Sequence, residues 1–395
     1  MKIERIEVFV TDLPTRLQRT MSSGAWDTGA TGSLLGKPVL VKIYAEGVVG
    51  YGQIRSISPG HFIPETVHSV FTAITEVYGP RLLGRDVSDL GWMWTMFDRT
   101  LPGNFNARAA LDHALYDVLG KALGVPVYAL IGGLCQPRIP LEWSVSMATD
   151  TETMVREAAR AVEELRVRVL CVKAGDRRGW RRDVENFAAV RRAVGDGIEL
   201  GVDPNCGWPL ADAKRAIRAM REHRLDYLEQ PIARDDLLGL AELRRFLDGI
   251  PLMADESLMT LRDAWDLARA GAVDVFCIKL YKTGGLRRAK QIATVAEVAG
   301  IRLNVGGLAA FSQLEAAAAA HFYASTPVEH MMPAGEFLFG VGAIGPDPLV
   351  PETDFVVVDG HVQVPRRPGL GIEIDEAALT KHTLRREQVK KEIPV

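Results

Sequence analysis

The chain has few cysteines, no long apolar run and no surplus of either charge. Its four cysteines, Cys135, Cys171, Cys206 and Cys277, form no paired metal-binding motif. So few of them across 395 residues argue against a disulfide framework, and a reducing, cytoplasmic setting is expected. No apolar stretch approaches the roughly 20 residues that cross a bilayer, so no membrane partner is expected. The run from Ala316 to Ala320 is apolar but short enough for a packed helix. Met1-Lys2-Ile3-Glu4-Arg5-Ile6 alternates like a strand and lacks the apolar core of a signal peptide. A net charge of −3, without a basic stripe or a like-charge block, argues against nucleic acid and against a disordered tail. No Gly-rich dinucleotide fingerprint follows the early strands, and Gly306-Gly307 is too short a signal to carry a function.

What the chain does have is a series of apolar runs, each ending in a charge. Val169-Leu170-Cys171-Val172 ends in Lys173, and Ile198-Glu199-Leu200-Gly201-Val202 ends in Asp203. Leu225-Asp226-Tyr227-Leu228 ends in Glu229, Ile250 to Ala254 ends in Asp255, and Val275-Phe276-Cys277-Ile278 ends in Lys279. The spacings, by subtraction, are 30, 26, 26 and 24 residues. A strand, a helix and two loops take about that length, which puts each charge at the carboxyl end of a successive parallel strand. In a parallel barrel that end is the active-site face. Three carboxylates meeting there repel one another and call for a cation. All-oxygen ligation suits Mg²⁺, with positions left for water and a substrate carboxylate. A dication there can hold the charge of an enediolate, and a nearby lysine can exchange a proton.

Three regions emerge along the chain. Residues 1–133 read as an α+β module: strands at Ile3 to Val10, Pro38 to Ala45 and Val48 to Gly52, then helices through Leu123. Glu46-Gly47 marks a hairpin turn. The polar, Gly-rich stretch from Ser22 to Gly36 is too long for a plain connection and reads as a lid. It carries Trp26, which is placed to close over an apolar part of a substrate. Residues 134–350 read as a second domain, within which 141 to about 330 alternate strand and helix eight times, with strands beginning near Leu141, Val167, Ile198, Leu225, Ile250, Val273, Ile301 and Pro327. That pattern implies a parallel sheet, either a closed barrel or an open doubly wound sheet. The period is lost over residues 331–395, and residues 351–395 form the third region. They hold a hairpin signal at Asp359-Gly360 and are expected to pack back on the first module or cross the barrel edge.

The motifs at these strand ends resemble the enolase superfamily, specifically its muconate lactonizing enzyme subgroup. The match rests on Val202-Asp203-Pro204-Asn205, Leu228-Glu229-Gln230-Pro231, Ala254-Asp255-Glu256-Ser257, Ile278-Lys279-Leu280 with Thr283-Gly284-Gly285, and the helix from Ala107 to Gly133. The resemblance implies a modified (β/α)7β TIM-like barrel under an N-terminal α+β capping domain completed by the C-terminal segment. It also implies Mg²⁺, held by Asp203, Glu229 and Asp255, and removal of a proton α to a carboxylate by Lys173 and Lys279. A homo-oligomer is expected. The mandelate racemase subgroup uses a His–Asp pair on strands seven and six. Here Arg302-Leu303-Asn304-Val305 offers no histidine, which favours the lysine subgroup.

One departure stands out. Where the family's second strand carries Lys-x-Lys, this chain reads Cys171-Val172-Lys173. The missing lysine removes a cation beside Lys173 and a contact for a substrate carboxylate. Around the five anchors, Glu256 and Asn205 are read as supporting groups, His330 and Glu336 as substrate contacts from the eighth strand, and Trp143 as a pocket wall. The expected function is racemisation or epimerisation of an amino-acid-like carboxylate. Muconate-type cycloisomerisation, dehydration of a β-hydroxy acid and a catalytically silent binding barrel are the alternatives. Dipeptide epimerases carry Asp-x-Asp on the last strand, which Val328-Glu329-His330-Met331 lacks.

Overall fold

A computed structural model describes residues 1–22, 24–27, 36–56, 63–307, 312–337 and 345–391. The alternating run Ile3–Thr11 pairs antiparallel with Pro38–Ala45, which pairs in turn with Val48–Arg55. Glu46 (φ 46°) and Gly47 (φ 85°) make the tight turn between the last two, as the Glu-Gly signal indicated. The free edge of Ile3–Thr11 is taken by Thr383–Gln388 from the far end of the chain. The C-terminal segment therefore completes the capping sheet and removes an open edge.

The helix Phe105–Leu123 lies across this sheet, and two glycines in Val48–Arg55 set how closely it lies. A methyl group on Gly50 would run into the carbonyl oxygen of Ala114, and one on Gly52 into that of Ala110. The same helix turns Asp117 back to accept the Tyr51 N–H at 2.8 Å and the Leu370 N–H at 2.8 Å. One buried carboxylate thus ties the cap helix to its sheet and to the C-terminal segment.

Seven strands form one parallel sheet in chain order, from Glu142–Val145 through Val169–Lys173, Glu199–Asp203, Tyr227–Glu229, Leu252–Ala254 and Val275–Ile278 to Arg302–Val305. Helices cover its outer face, among them Thr151–Glu164, Leu210–Arg221 and Leu286–Ala299. The eighth stave differs from the sequence expectation. Val328–His330 is a 3₁₀ turn, and its residues lie outside the core. Barrel pairing begins one residue later: Met332 N–H donates to Leu303 O at 2.7 Å, Glu336 N–H to Val305 O at 2.8 Å, and Glu142 N–H to Gly335 O at 2.9 Å. These bonds join the seventh strand to the first and close the barrel. The physical signal was burial: Pro327, Val328 and Glu329 are exposed, whereas Met331 and Met332 are inside. The segment from Met331 to Glu336 contains no aspartate either.

The tail's Asp359-Gly360 turn joins Val357–Val358 to His361–Gln363, and this hairpin adds to Arg138–Pro140 just ahead of the first barrel strand. Among the described residues no helix is long and apolar enough to cross a membrane.

Two outcomes follow. Gly52→Ala should lower stability by about 1–3 kcal/mol, because the helix it touches is held on its other side; a shifted urea midpoint at unchanged slope checks this. His321 is buried, with its Nδ1 3.3 Å from the Tyr128 N–H and its Nε2 3.2 Å from the Leu370 carbonyl, so the neutral ring satisfies both. Burial lowers its pKa to about 4. Because the unfolded ring binds a proton near pH 6.5 and the folded one does not, stability should fall as pH drops from about 6.5 toward 4. Urea titrations across that range should show a flatter slope in His321→Gln.

Candidate active site

Lys173, Asp203, Glu229, Asp255 and Lys279 stand at the carboxyl ends of five successive barrel strands, all buried. Lys173 and Asp203 are register partners on adjacent strands, and Lys173 Nζ lies 2.5 Å from Asp203 Oδ2. On the other side Lys279 Nζ lies 2.6 Å from Asp255 Oδ2. Glu229 stands on the strand between Asp203 and Asp255. Oxygens of Glu229 and Asp255 and the sulfur of Cys277 all fall within 4.8 Å of one another, as do the ligand atoms of Glu142, Cys171 and Glu229.

The turns after the strands hold these carboxylates in place. Asn205 donates its N–H to Asp203 Oδ1 at 2.8 Å and its side-chain amide to Asp203 Oδ2 at 2.8 Å and Glu256 Oε1 at 3.4 Å. Asn205 and Cys206 both take left-handed backbone conformations, φ 46° and 62°, which non-glycine residues adopt at a cost. Gln230 (φ 28°) accepts the Cys206 N–H on its carbonyl at 2.8 Å, and its side-chain oxygen accepts the N–H groups of Asp255 and Ser257, each at 3.0 Å. A line of hydrogen bonds therefore runs along the tops of the third, fourth and fifth strands.

Burial and charge act on these groups in opposite directions. Burial, opposed by Lys173 and reinforced by Glu256, raises Asp203 to about 6. Burial and the neighbouring Asp203 charge push Glu229 well above the usual carboxylate range. Burial also acts to raise Asp255, but Lys279 and Lys282 outweigh it and hold that carboxyl well below its ordinary value. Burial alone would lower both lysines; the facing carboxylates, Asp203 for Lys173 and Asp255 for Lys279, keep them raised instead. Glu229 and Asp255 bring oxygens close enough to share a divalent cation, whereas Asp203 belongs to neither close-set group, its oxygens being held by Lys173 and Asn205.

Glu336 is buried at the top of the eighth stave, facing Gly307, where a methyl group would come within 2.7 Å of its Oε2. A methyl on Gly306 would come within 2.5 Å of Lys279 Cε. The Gly306-Gly307 pair, uninformative as sequence, clears room for a lysine and a glutamate. Cys171 faces inward with its Sγ 3.8 Å from Glu229 Oε2.

Other expectations need correction. His330 is half-buried on the 3₁₀ turn that precedes the eighth stave, so it lies at the amino end of the barrel and not at the mouth. Trp143 follows inward-facing Glu142, so alternation turns it away from the carboxylates; its Nε1 donates to Glu157 Oε1 at 3.0 Å on the first barrel helix, and it walls a separate cavity with Arg19, Thr20 and Met147. Trp26 lies in the short strand Gly24–Asp27, paired with Gln18–Met21, and its side chain is outside the described residues. Most of the expected lid, residues 23 and 28–35, is likewise outside them.

Three inward residues escaped the sequence reading. Lys282 is fully buried and donates to the Asp255 carbonyl at 2.6 Å and to its Oδ1. Its signal was the spacing from Lys279, since i and i+3 share a face on the turn Leu280–Thr283. Glu142 accepts from Tyr227 OH at 3.1 Å and Asn304 Nδ2 at 3.3 Å, and burial with the Glu336 charge raises it to about 8. Tyr227 was visible only as an apolar residue two before Glu229 on the same face.

Comparison with known proteins agrees with this geometry. Residues 6–132 match the mandelate racemase/muconate lactonizing enzyme N-terminal domain, and residues 153–378 match the enolase C-terminal domain-like family. A chloromuconate cycloisomerase of a Pseudomonas species is 34% identical over 97% of this chain and 99% of its own. The crystal structure of N-succinyl Arg/Lys racemase from Bacillus cereus superposes with a TM-score of 0.88 at 30% identity, covering 99% of this chain and 100% of that one. Muconate lactonizing enzyme from Pseudomonas fluorescens, complexed with muconolactone, gives a TM-score of 0.88 at 30% identity over 97% and 99%. The fold is thus shared along nearly the whole length, and the chain belongs to the mandelate racemase/muconate lactonizing enzyme family of the enolase superfamily and is an enzyme.

Proposed function

We propose that this enzyme removes a proton from the carbon α to a substrate carboxylate and returns one to the opposite face, racemising or epimerising an amino-acid-like acid. The observation that carries the reading is the placement of two buried lysines on opposite sides of three carboxylates, each lysine paired with a different aspartate. Asp203, Glu229 and Asp255 are the residues that would hold a divalent ion, with Mg²⁺ the ion proposed. Such an ion would supply positive charge to a substrate carboxylate and take over the pairing that now holds both lysines protonated.

The chain's own groups then divide the work. Lys173 Nζ or Lys279 Nζ accepts the α-proton, according to which face of the carbon bears it, and the other lysine delivers its proton to the opposite face. Lys282 keeps one oxygen of Asp255 occupied, leaving the other toward Lys279. Asn205 donates to both oxygens of Asp203 and shares Oδ2 with Lys173. Glu336, buried beside Gly307 at the top of the eighth stave, bears on the substrate's distal part. Cys171, a neutral group two residues before Lys173, leaves that flank without a second cation, which suits a substrate with one carboxylate at the reacting end.

Cycloisomerisation of a muconate-like diacid is the second reading, favoured by the chloromuconate cycloisomerase relative. In that reaction one lysine protonates or deprotonates a single face, and the other is not needed for turnover.

The two readings separate in D₂O with MgCl₂, followed by NMR. N-succinyl-L-arginine and its D-enantiomer, a substrate type taken from the racemase relative, should exchange their α-protons. Lys173→Ala and Lys279→Ala should each lose exchange from one enantiomer by about 10²–10⁴-fold while keeping part of it from the other. Exchange that survives both substitutions removes the lysines from the mechanism. Consumption of chloromuconate without α-exchange in any N-acyl amino acid favours cycloisomerisation.

A further inference from the structure

We infer that Ser22 is a positioning residue that couples docking of the N-terminal hairpin to the carboxylate ring, so that hairpin closure and divalent-ion binding strengthen each other. The inference rests on the proposed metal role of Asp203, Glu229 and Asp255.

The hairpin Gln18–Met21/Gly24–Asp27 lies on the barrel mouth at two places. At the first strand's loop, Thr20 N–H donates to Ser146 Oγ at 2.9 Å and Met147 N–H donates to Thr20 O at 3.1 Å. At the second place, Ser22 Oγ donates to the Asn205 carbonyl at 3.1 Å. Ser22 sits there in a socket floored by two glycines. A methyl group on Gly175, just past Lys173, would come within 2.7 Å of Ser22 Cβ, and one on Gly207, just past Asp203, within 3.1 Å. The socket exists because both positions lack side chains, and it lies between the loops that follow a proposed catalytic lysine and a proposed metal ligand.

Asn205 makes the contact consequential. Its carbonyl receives Ser22 while its N–H and amide hold both oxygens of Asp203. The next residue, Cys206, donates to Gln230 O, and Gln230 in turn holds the N–H of Asp255. Asn205 and Cys206 hold left-handed conformations, whose cost these bonds offset. Seating Ser22 stabilises the turn that aims Asp203, and a cation that fixes Asp203 stabilises the turn that receives Ser22. Such coupling is reciprocal by linkage.

Amide hydrogen exchange read by mass spectrometry, with and without MgCl₂, tests this alongside calorimetric Mg²⁺ titration. In the unaltered chain, Mg²⁺ should slow exchange in peptides covering residues 18–27 and at Met147. Ser22→Ala should reduce that slowing and weaken Mg²⁺ binding about fivefold, at the low end of typical coupling. Gly207→Ala, which leaves the Ser22 hydroxyl in the chain but puts a methyl 3.1 Å from Ser22 Cβ and 2.7 Å from the Pro204 carbonyl, should do the same. Equal Mg²⁺ affinity in both variants, or Mg²⁺ binding that leaves hairpin exchange unchanged, overturns the coupling and leaves the metal site standing. No Mg²⁺ binding in the unaltered chain overturns both.

Discussion

Like charges forced together inside a barrel mouth are the constraint on which the rest depends. Asp203, Glu229 and Asp255 stand on consecutive strands about 5 Å apart in the pairing direction, and all three are buried. Such an arrangement holds only with positive charge among the carboxylates. Lys173, Lys279 and Lys282 provide it, and they do so unevenly. Asp255 has two ammonium partners and is held ionised; Asp203 has one; Glu229 has no lysine in the salt bridges among the described residues and is pushed furthest toward its neutral form. The site is therefore short of positive charge at its centre, the position a divalent ion would take.

The surrounding structure serves to keep those side chains in register. The mouth is lined at its rim by turns in left-handed backbone at Asn205, Cys206 and Gln230, fixed by one another's hydrogen bonds. Glycines at 306 and 307 leave volume for Lys279 and Glu336. The cap reaches the barrel through buried carboxylates too: Asp112 accepts the Leu286 N–H at 2.6 Å and the Trp94 Nε1–H at 2.9 Å, anchoring the helix that follows the Lys279 turn.

Much of this was legible in the sequence because a parallel barrel repeats. Five charges at near-constant spacing, each closing an apolar run, place Lys173, Asp203, Glu229, Asp255 and Lys279 at one end of one sheet. The capping sheet was legible from period-two alternation and one tight turn. What failed was local. Val328-Glu329-His330 has the composition of a strand, yet only burial tells a strand from a surface turn, and burial depends on neighbours distant in sequence. Trp143 was placed without its partner: once Glu142 is known to face inward, Trp143 faces out. Glu142 itself carries no signal, since a glutamate at the start of a strand is usually solvated. Its company of Tyr227 and Asn304 comes from strands four and seven. Lys282 was readable as an i+3 companion of Lys279, but its target, the carbonyl and carboxylate of Asp255, is a tertiary fact.

The central claim is that one divalent ion belongs among Asp203, Glu229 and Asp255. Crystals soaked in MnCl₂, with data collected to show the anomalous signal of manganese, address it most directly. The account expects a single strong peak bounded by those three carboxylates, with the Lys173 and Lys279 ammonium groups drawn back from their aspartates. No peak at that position, or a peak held instead by Glu142 and Cys171 deeper in the barrel, would contradict it.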